Sequence, residues 1–183
     1  MKLMFASDIH GSLYWAEAMR VAWAREAPDK LILLGDLLYH GPRNDLPRRY
    51  DPKGVTQLLA GMKEELLCVR GNCEAEVDQM VLPFPVMADF MPLWLGERMA
   101  FVTHGHLYHE GALPMLKRGD LLIHGHTHVP TVRCHQEEGY TYINPGSVSL
   151  PKEDSPNSYM VYQDGRFSIR QITDGVEFIA YEG

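Results

Sequence analysis

The sequence holds little that would tie it to an oxidising compartment, a membrane or nucleic acid. Its three cysteines, Cys68, Cys73 and Cys134, are an odd number set far apart. That excludes a disulfide framework and fits reduced thiols. Apolar runs such as Leu31 to Leu34 fall far short of the roughly 20 residues that a bilayer-spanning helix needs. Basic residues are in the minority, 17 Lys and Arg against 24 Asp and Glu, for a formal net charge of −7. A broad phosphate-neutralising face is therefore excluded, and stable nucleic-acid binding is not expected. No repeat, low-complexity stretch or linker is present, and no leader pattern precedes the apolar run at Leu3. With 45% hydrophobic content, the 183 residues are expected to form one soluble, cytoplasmic domain over 1–183.

What is present begins as strand, helix, strand, helix, strand. Leu3 to Ala6 is an apolar run, and Ser12 is an N-cap for a helix carrying Trp15, Met19 and Ala22 at helical spacing, ended by Pro28. Leu31 to Leu34 is a buried strand. A polar loop runs from Tyr39 to Lys53, the spacing predicts a helix over 54–64, and Leu66 to Val69 is a third strand. This alternation predicts a parallel sheet with helices packed on it. The second half is richer in strands, with hairpin turns at Asp164-Gly165 and Asp174-Gly175. The apolar stretch from Phe84 to Leu95 is either a hairpin edge in the core or an exposed patch for self-association as a homo-oligomer.

Five short motifs sit where apolar runs end: Asp8-Ile9-His10, Gly35-Asp36, Gly71-Asn72, His104-Gly105-His106 and Gly125-His126-Thr127-His128. Two carboxylates, an amide and four imidazoles are enough for two transition-metal ions that share one ligand. Asp8 and His10 are two apart, so an extended segment points both the same way. Asp36 can bridge two ions with its two oxygens. Two divalent ions, two carboxylates and one hydroxide leave a single positive charge, which matches a phosphodiester monoanion.

In this order the motifs resemble those of the calcineurin-like metallophosphoesterases, over residues 8 to 128. The segments Gly35 to Asn44 and Arg70 to Glu74 resemble the small bacterial YfcE-type phosphodiesterases of that family. The resemblance implies an α/β fold, a four-layer α/β/β/α sandwich of two mixed sheets flanked by helices. It places Asp8, His10, Asp36 and His128 on one metal ion and Asp36, Asn72, His104 and His126 on the other. Manganese is the first expectation, with iron, zinc or nickel as alternatives. The implied activity is hydrolysis of a small-molecule phosphodiester by attack of a metal-bridging hydroxide, with Asn72 stabilising charge on the phosphate.

Two departures from the family pattern bear on catalysis. Cys73 stands where many relatives carry the His that protonates the leaving oxygen. A thiol is a weak donor, and beside two cations it can ionise and stop donating. Activated leaving groups are therefore expected to react best. Tyr39-His40 stands where protein phosphatases carry Asp-Arg, which removes a bidentate phosphate clamp. Arg43 and His40 from the same loop, and His106 beside His104, are the candidate substrate contacts. The basic stretch Arg43, Arg48, Arg49 and Lys53 is either a solvated loop or a rim that recognises the substrate's second ester group. The competing function is a non-catalytic, protein-binding scaffold on the same fold. An amidohydrolase, which also uses His-x-His, is disfavoured because there the pair belongs on the first strand of a much longer barrel.

Overall fold

The computed structural model describes residues 1–183. Its first half is the predicted alternation: β1 (Lys2–Ala6), α1 (Leu13–Glu26), β2 (Lys30–Leu33), α2 (Pro52–Ala60) and β3 (Leu66–Cys68). The strands β1, β2 and β3 pair in parallel. Ser12 caps α1, its Oγ accepting from the Trp15 N–H at 3.4 Å. The second helix begins and ends earlier than its apolar spacing suggested. Asp51 Oδ1 accepts from Gly54 N–H at 3.0 Å, which makes Asp51 the cap and Pro52 the first helical residue.

A short helix, α3 (Glu76–Val81), precedes the second sheet. The remaining strands are β4 (Phe90–Leu95), β5 (Arg98–Thr103), β6 (Leu121–Ile123), β7 (Thr131–His135), β8 (Tyr140–Asn144), β9 (Ser158–Gln163), β10 (Arg166–Gln171) and β11 (Glu177–Glu182). They complete two mixed sheets, ordered β11-β10-β9-β1-β2-β3 and β4-β5-β6-β8-β7. Within the second sheet β5, β6 and β8 run parallel.

Strand alternation explains the stacking. Met4, Ala6, Leu31 and Leu33 point towards α1 and α2, where Met19 and Leu59 meet them. Leu3, Phe5, Ile32 and Leu34 point the other way, into a second core shared with Val102, Ile123 and Ile143. Both faces of the first sheet are thus apolar, as a covered parallel sheet requires. The outer face of the second sheet carries Leu122, Tyr140 and Tyr142, with Leu116 packed against them. Leu116 belongs to the segment 104–120, which contains no helix, so the fourth layer is irregular chain.

The stretch from Phe84 to Leu95 divides. Phe84 and Val86 are buried in the helix-side core, while β4 is an edge strand with Phe90 and Trp94 exposed.

Candidate metal centre

Every motif lies just past the carboxyl end of a parallel strand, and the two sheets bring those ends to one rim. Asp8, Asp36 and Asn72 follow β1, β2 and β3 of the first sheet. His104 and His126 follow β5 and β6 of the second. The first two loops are laced together: Asp8 N–H donates to Gly35 O at 3.1 Å and His10 N–H to Asp36 O at 2.8 Å.

Five ligand candidates have left-handed backbones: Asp8 (φ 58°), His10 (49°), Asp36 (55°), His126 (65°) and His128 (63°). The extended geometry expected for Asp8-Ile9-His10 is therefore wrong. Each side chain is aimed by a sharp turn, a conformation that costs a non-glycine residue on the order of 1 kcal/mol. Surrounding contacts hold these turns in place. Ser147 Oγ and Ser149 Oγ both donate to Asp8 O, at 2.9 and 3.0 Å. Glu74, which sequence reasoning did not single out, lies buried behind Asp36. It accepts from the N–H groups of Asp36 and Leu37, each at 2.8 Å, and of Gly71 at 2.6 Å. The motif glycines are set by close approach: a Cβ on Gly71 would collide with the Asp36 carboxylate, and one on Gly125 with Ser7 Oγ.

The seven predicted ligands converge. Asp8 Oδ1 lies 3.2 Å from His128 Nε2 and 3.6 Å from His10 Nε2. Asp36 Oδ2 lies 3.6 Å from His10 Nε2 and 3.5 Å from His104 Nε2. His104 Nε2 is 3.1 Å from Asn72 Oδ1 and 3.2 Å from His126 Nδ1. Asp36 differs from expectation in one respect. Its Oδ1 is held by the Cys73 N–H at 2.8 Å, so a single oxygen, Oδ2, faces both halves of the cluster.

The imidazoles are oriented for ligation. Nδ1 of His10, His104 and His128 faces the carbonyl oxygens of Tyr39, Leu34 and Leu150, at 2.8, 2.7 and 2.6 Å. A carbonyl only accepts, so each Nδ1 carries the proton and each Nε2 offers a lone pair to the centre. His126 presents Nδ1 instead. Burial, and then His104, push it down to about 4, which favours its neutral form. His10 Nε2 and His128 Nε2 lie 3.2 Å apart at the centre. Beside them, buried Asp8 Oδ1 has no hydrogen-bond donor. Such a set of acceptors fits divalent cations and fits little else.

A cleft of about 440 Å³ opens over this cluster. Arg43 and Cys73 line it, as expected, and so does Lys152, which no motif singled out. Lys152 reaches the site because its segment is tied to a ligand: its N–H donates to His128 O at 3.2 Å. Cys73 is half-buried and lies with His10 and Asp36 in a group able to hold a metal. Burial, followed by the charges of Asp36 and Glu74, pushes its thiol up and favours the protonated form; the protein's own charges thus oppose the ionisation expected beside cations.

His106 lies on the far side of His126 and Thr127, in a separate cavity of about 270 Å³ with His109, His124 and Tyr142. His40 does not line the cleft; its ring sits between those of Tyr39 and Tyr50, at 4.8 and 5.3 Å. The basic stretch also divides. Arg48 lies 3.6 Å over the Tyr14 ring and Arg49 pairs with Glu17 at 2.8 Å, leaving Arg43 at the cleft.

No helix is long and apolar enough to cross a membrane. Residues 1–164 match the calcineurin-like phosphoesterase superfamily domain. The chain is 44% identical over 174 residues to the phosphodiesterase YfcE of Escherichia coli K12, covering 95% of this chain and 94% of that one. The solved structure of E. coli YfcE, a phosphoesterase, superposes with a TM-score of 0.95 at 41% identity, over 100% of this chain and 99% of the other. A probable metallophosphoesterase of Bacillus subtilis, YsnB, is 27% identical over 88% of this chain and 83% of its own length. A rim of metal-ligand side chains on this fold, matched by these relatives along nearly the whole chain, makes the protein a member of the calcineurin-like phosphoesterase superfamily.

Proposed function

We propose that the protein is a dinuclear metal-dependent phosphodiesterase. The observation that carries this reading is the single Asp36 oxygen facing two ligand groups, His10 on one side and His104 on the other. Asp8, His10 and His128 complete the first group. Asn72, His104 and His126 complete the second. Two divalent ions held there supply an activated water and neutralise charge on the phosphate. The remaining work falls to the chain. Three backbone carbonyls fix the imidazole tautomers, Glu74 braces the loops around Asp36, and the Asn72 amide, which lines the cleft, would stabilise charge on the phosphate.

Cys73 lines the cleft, and its proposed role is to meet the leaving oxygen. A protonated thiol donates weakly, so diesters of acidic alcohols react best. The name of the E. coli relative supports a diester over a monoester. The proposed ion is manganese, with iron, zinc or nickel as alternatives, and the proposed compartment is the cytoplasm. The exposed Phe90 and Trp94 of the β4 edge support self-association, which sizing by light scattering would read.

The test strips the protein of metal and follows bis(p-nitrophenyl) phosphate and p-nitrophenyl phosphate, with and without manganese, beside Asp36→Asn. Manganese is expected to restore hydrolysis, faster on the diester, and Asp36→Asn to lose it. Folded protein that stays inactive with manganese, iron, zinc and nickel alike would move the reading to the scaffold. Cys73→His then probes the leaving-group account: an unchanged dependence on leaving-group acidity would remove Cys73 from the reaction.

A further inference from the structure

The cleft over the metal cluster is unusual in what its walls offer. Its twelve lining residues include no aliphatic, Phe, Tyr or Trp side chain, and Pro42 and Cys73 are the least polar of them. Nothing there provides a face on which a nucleobase or a lipid chain would rest. The walls do carry two cations that the cluster itself does not use, Arg43 and Lys152. Neither is ion-paired, although Asp45, Glu153 and Asp154 stand within two residues of them in sequence. Other arginines near carboxylates do pair: Arg49 with Glu17 at 2.8 Å, Arg133 with Glu110 at 2.6 Å and Arg166 with Glu177 at 2.7 Å.

Both cations are placed by fixed backbone. Lys152 is anchored through its own N–H to His128 O, and the two residues after it, Glu153 (φ 53°) and Asp154 (φ 56°), are left-handed. Ser155 Oγ closes the turn by donating to Lys152 O at 2.6 Å. Arg43 lies in the turn closed by Asn44, whose Nδ2 donates to His40 O at 2.8 Å and whose N–H donates to Gly41 O at 3.3 Å. The charge count adds the last step. Two divalent ions, Asp8, Asp36 and a hydroxide already match a phosphodiester monoanion, so two further cations in a protein of net charge −7 are in excess of what the scissile phosphate requires.

We propose that Arg43 and Lys152 form an anion subsite that selects phosphodiesters of small polar alcohols bearing a second anionic group. This deepens the phosphodiesterase reading and rests on it. Lys152 is the specificity-determining residue of the pair. Its side chain is exposed at the rim, so changing it leaves the core untouched.

The experiment uses manganese-loaded protein and three p-nitrophenyl phosphodiesters that share a leaving group. Their second alcohol is glycolate, ethanol or choline: anionic, neutral or cationic. The expected order of kcat/KM is glycolate, ethanol, choline, with steps of about tenfold that shrink as salt is raised. Lys152→Gln compresses the series and Lys152→Glu inverts it; Arg43→Gln is the second route should either variant misfold. Equilibrium binding is read independently by calorimetry with phosphoglycolate and ethyl phosphate, which differ in one carboxylate. Wild type is expected to bind phosphoglycolate about tenfold tighter, and Lys152→Gln to lose the preference. A flat rate series with the binding preference intact still supports the subsite and puts the anionic group on the departing alcohol. Flat rates together with equal binding overturn the proposal while leaving the phosphodiesterase reading in place. No hydrolysis of any ester by loaded protein overturns that reading instead, and calorimetry still reports on the subsite.

Discussion

Glu26, at the end of α1, and Asp8, just past the end of β1, are both buried carboxylates, but their surroundings differ in kind. Glu26 Oε1 accepts from Tyr159 Oη at 2.7 Å and from Arg170 at 2.9 Å, and Oε2 accepts from Lys2 Nζ at 2.9 Å and from Arg170 at 3.1 Å. Burial raises its carboxyl, but Lys2, Tyr159 and Arg170 outweigh that and hold it below the usual range. Asp8 receives one hydrogen bond on Oδ2, from the His126 N–H at 3.1 Å, and none on Oδ1. The same chain thus satisfies one buried carboxylate completely and leaves the other facing the ring nitrogens of His10 and His128. The first arrangement is that of a structural tie between α1, β1 and β10. The second makes sense only with a cation as partner.

The largest effect that would sharpen this contrast is on rate. Asp8→Asn is expected to lower metal-restored diester hydrolysis on the order of 10³-fold. The amide can still accept from the His126 N–H, so metal-free stability in a urea titration is expected to stay within about 1 kcal/mol of wild type. Glu26→Gln should do the reverse. It leaves Arg170 and Lys2 short of a counter-charge, and because each retains a quarter of its exposure the cost is expected to be about 2–3 kcal/mol, with metal-dependent hydrolysis retained by the folded fraction. If Asp8→Asn destabilised the chelated protein as much as Glu26→Gln, the two sites would not differ as described.

Metal binding gives a third, comparable effect. Manganese at 100 times its Kd is expected to stabilise wild type and Glu26→Gln by about 2.7 kcal/mol, read as a rise in Tm, and Asp8→Asn by much less. The smallest effect is in pH. A carboxyl whose folded pKa is depressed contributes stability above its unfolded value and loses it as pH falls through the folded one. The stability gap between wild type and Glu26→Gln is therefore expected to be full above about pH 4.5 and to narrow below it. A gap that widened on acidification would contradict the assigned ion pairs.

The candidate ligand set was legible because its motifs follow apolar runs, and chain order then fixes which strand end presents each. How the ligands are aimed was not legible. Spacing alone put Asp8 and His10 on an extended segment, whereas both are left-handed, Asp8 tied by Ser147 and Ser149, more than a hundred residues away in sequence, and His10 by the carbonyl of Asp36. Lys152 carries no local signal at all. It is brought to the cleft by contacts of Leu150 and Lys152 with His128, which only the folded chain reveals. Two features could have been read. Asp51-Pro52 is an N-cap followed by a first-turn proline, which sets the start of α2. Glu74, an acidic residue in the loop after a buried strand, lies where backbone donors need an acceptor. The irregular outer layer over the second sheet, where Leu116 packs, departs from the flanking helices that the resemblance implied.

The five left-handed ligands also bear on the history of this chain. Each could relax, or be replaced by glycine with a gain in stability, were its side chain not needed. Drift under selection for folding alone would therefore wear these positions away before it touched the core. All five positions carry a carboxylate or an imidazole. A lineage that had given up the chemistry and kept only the fold would have been expected to lose them first.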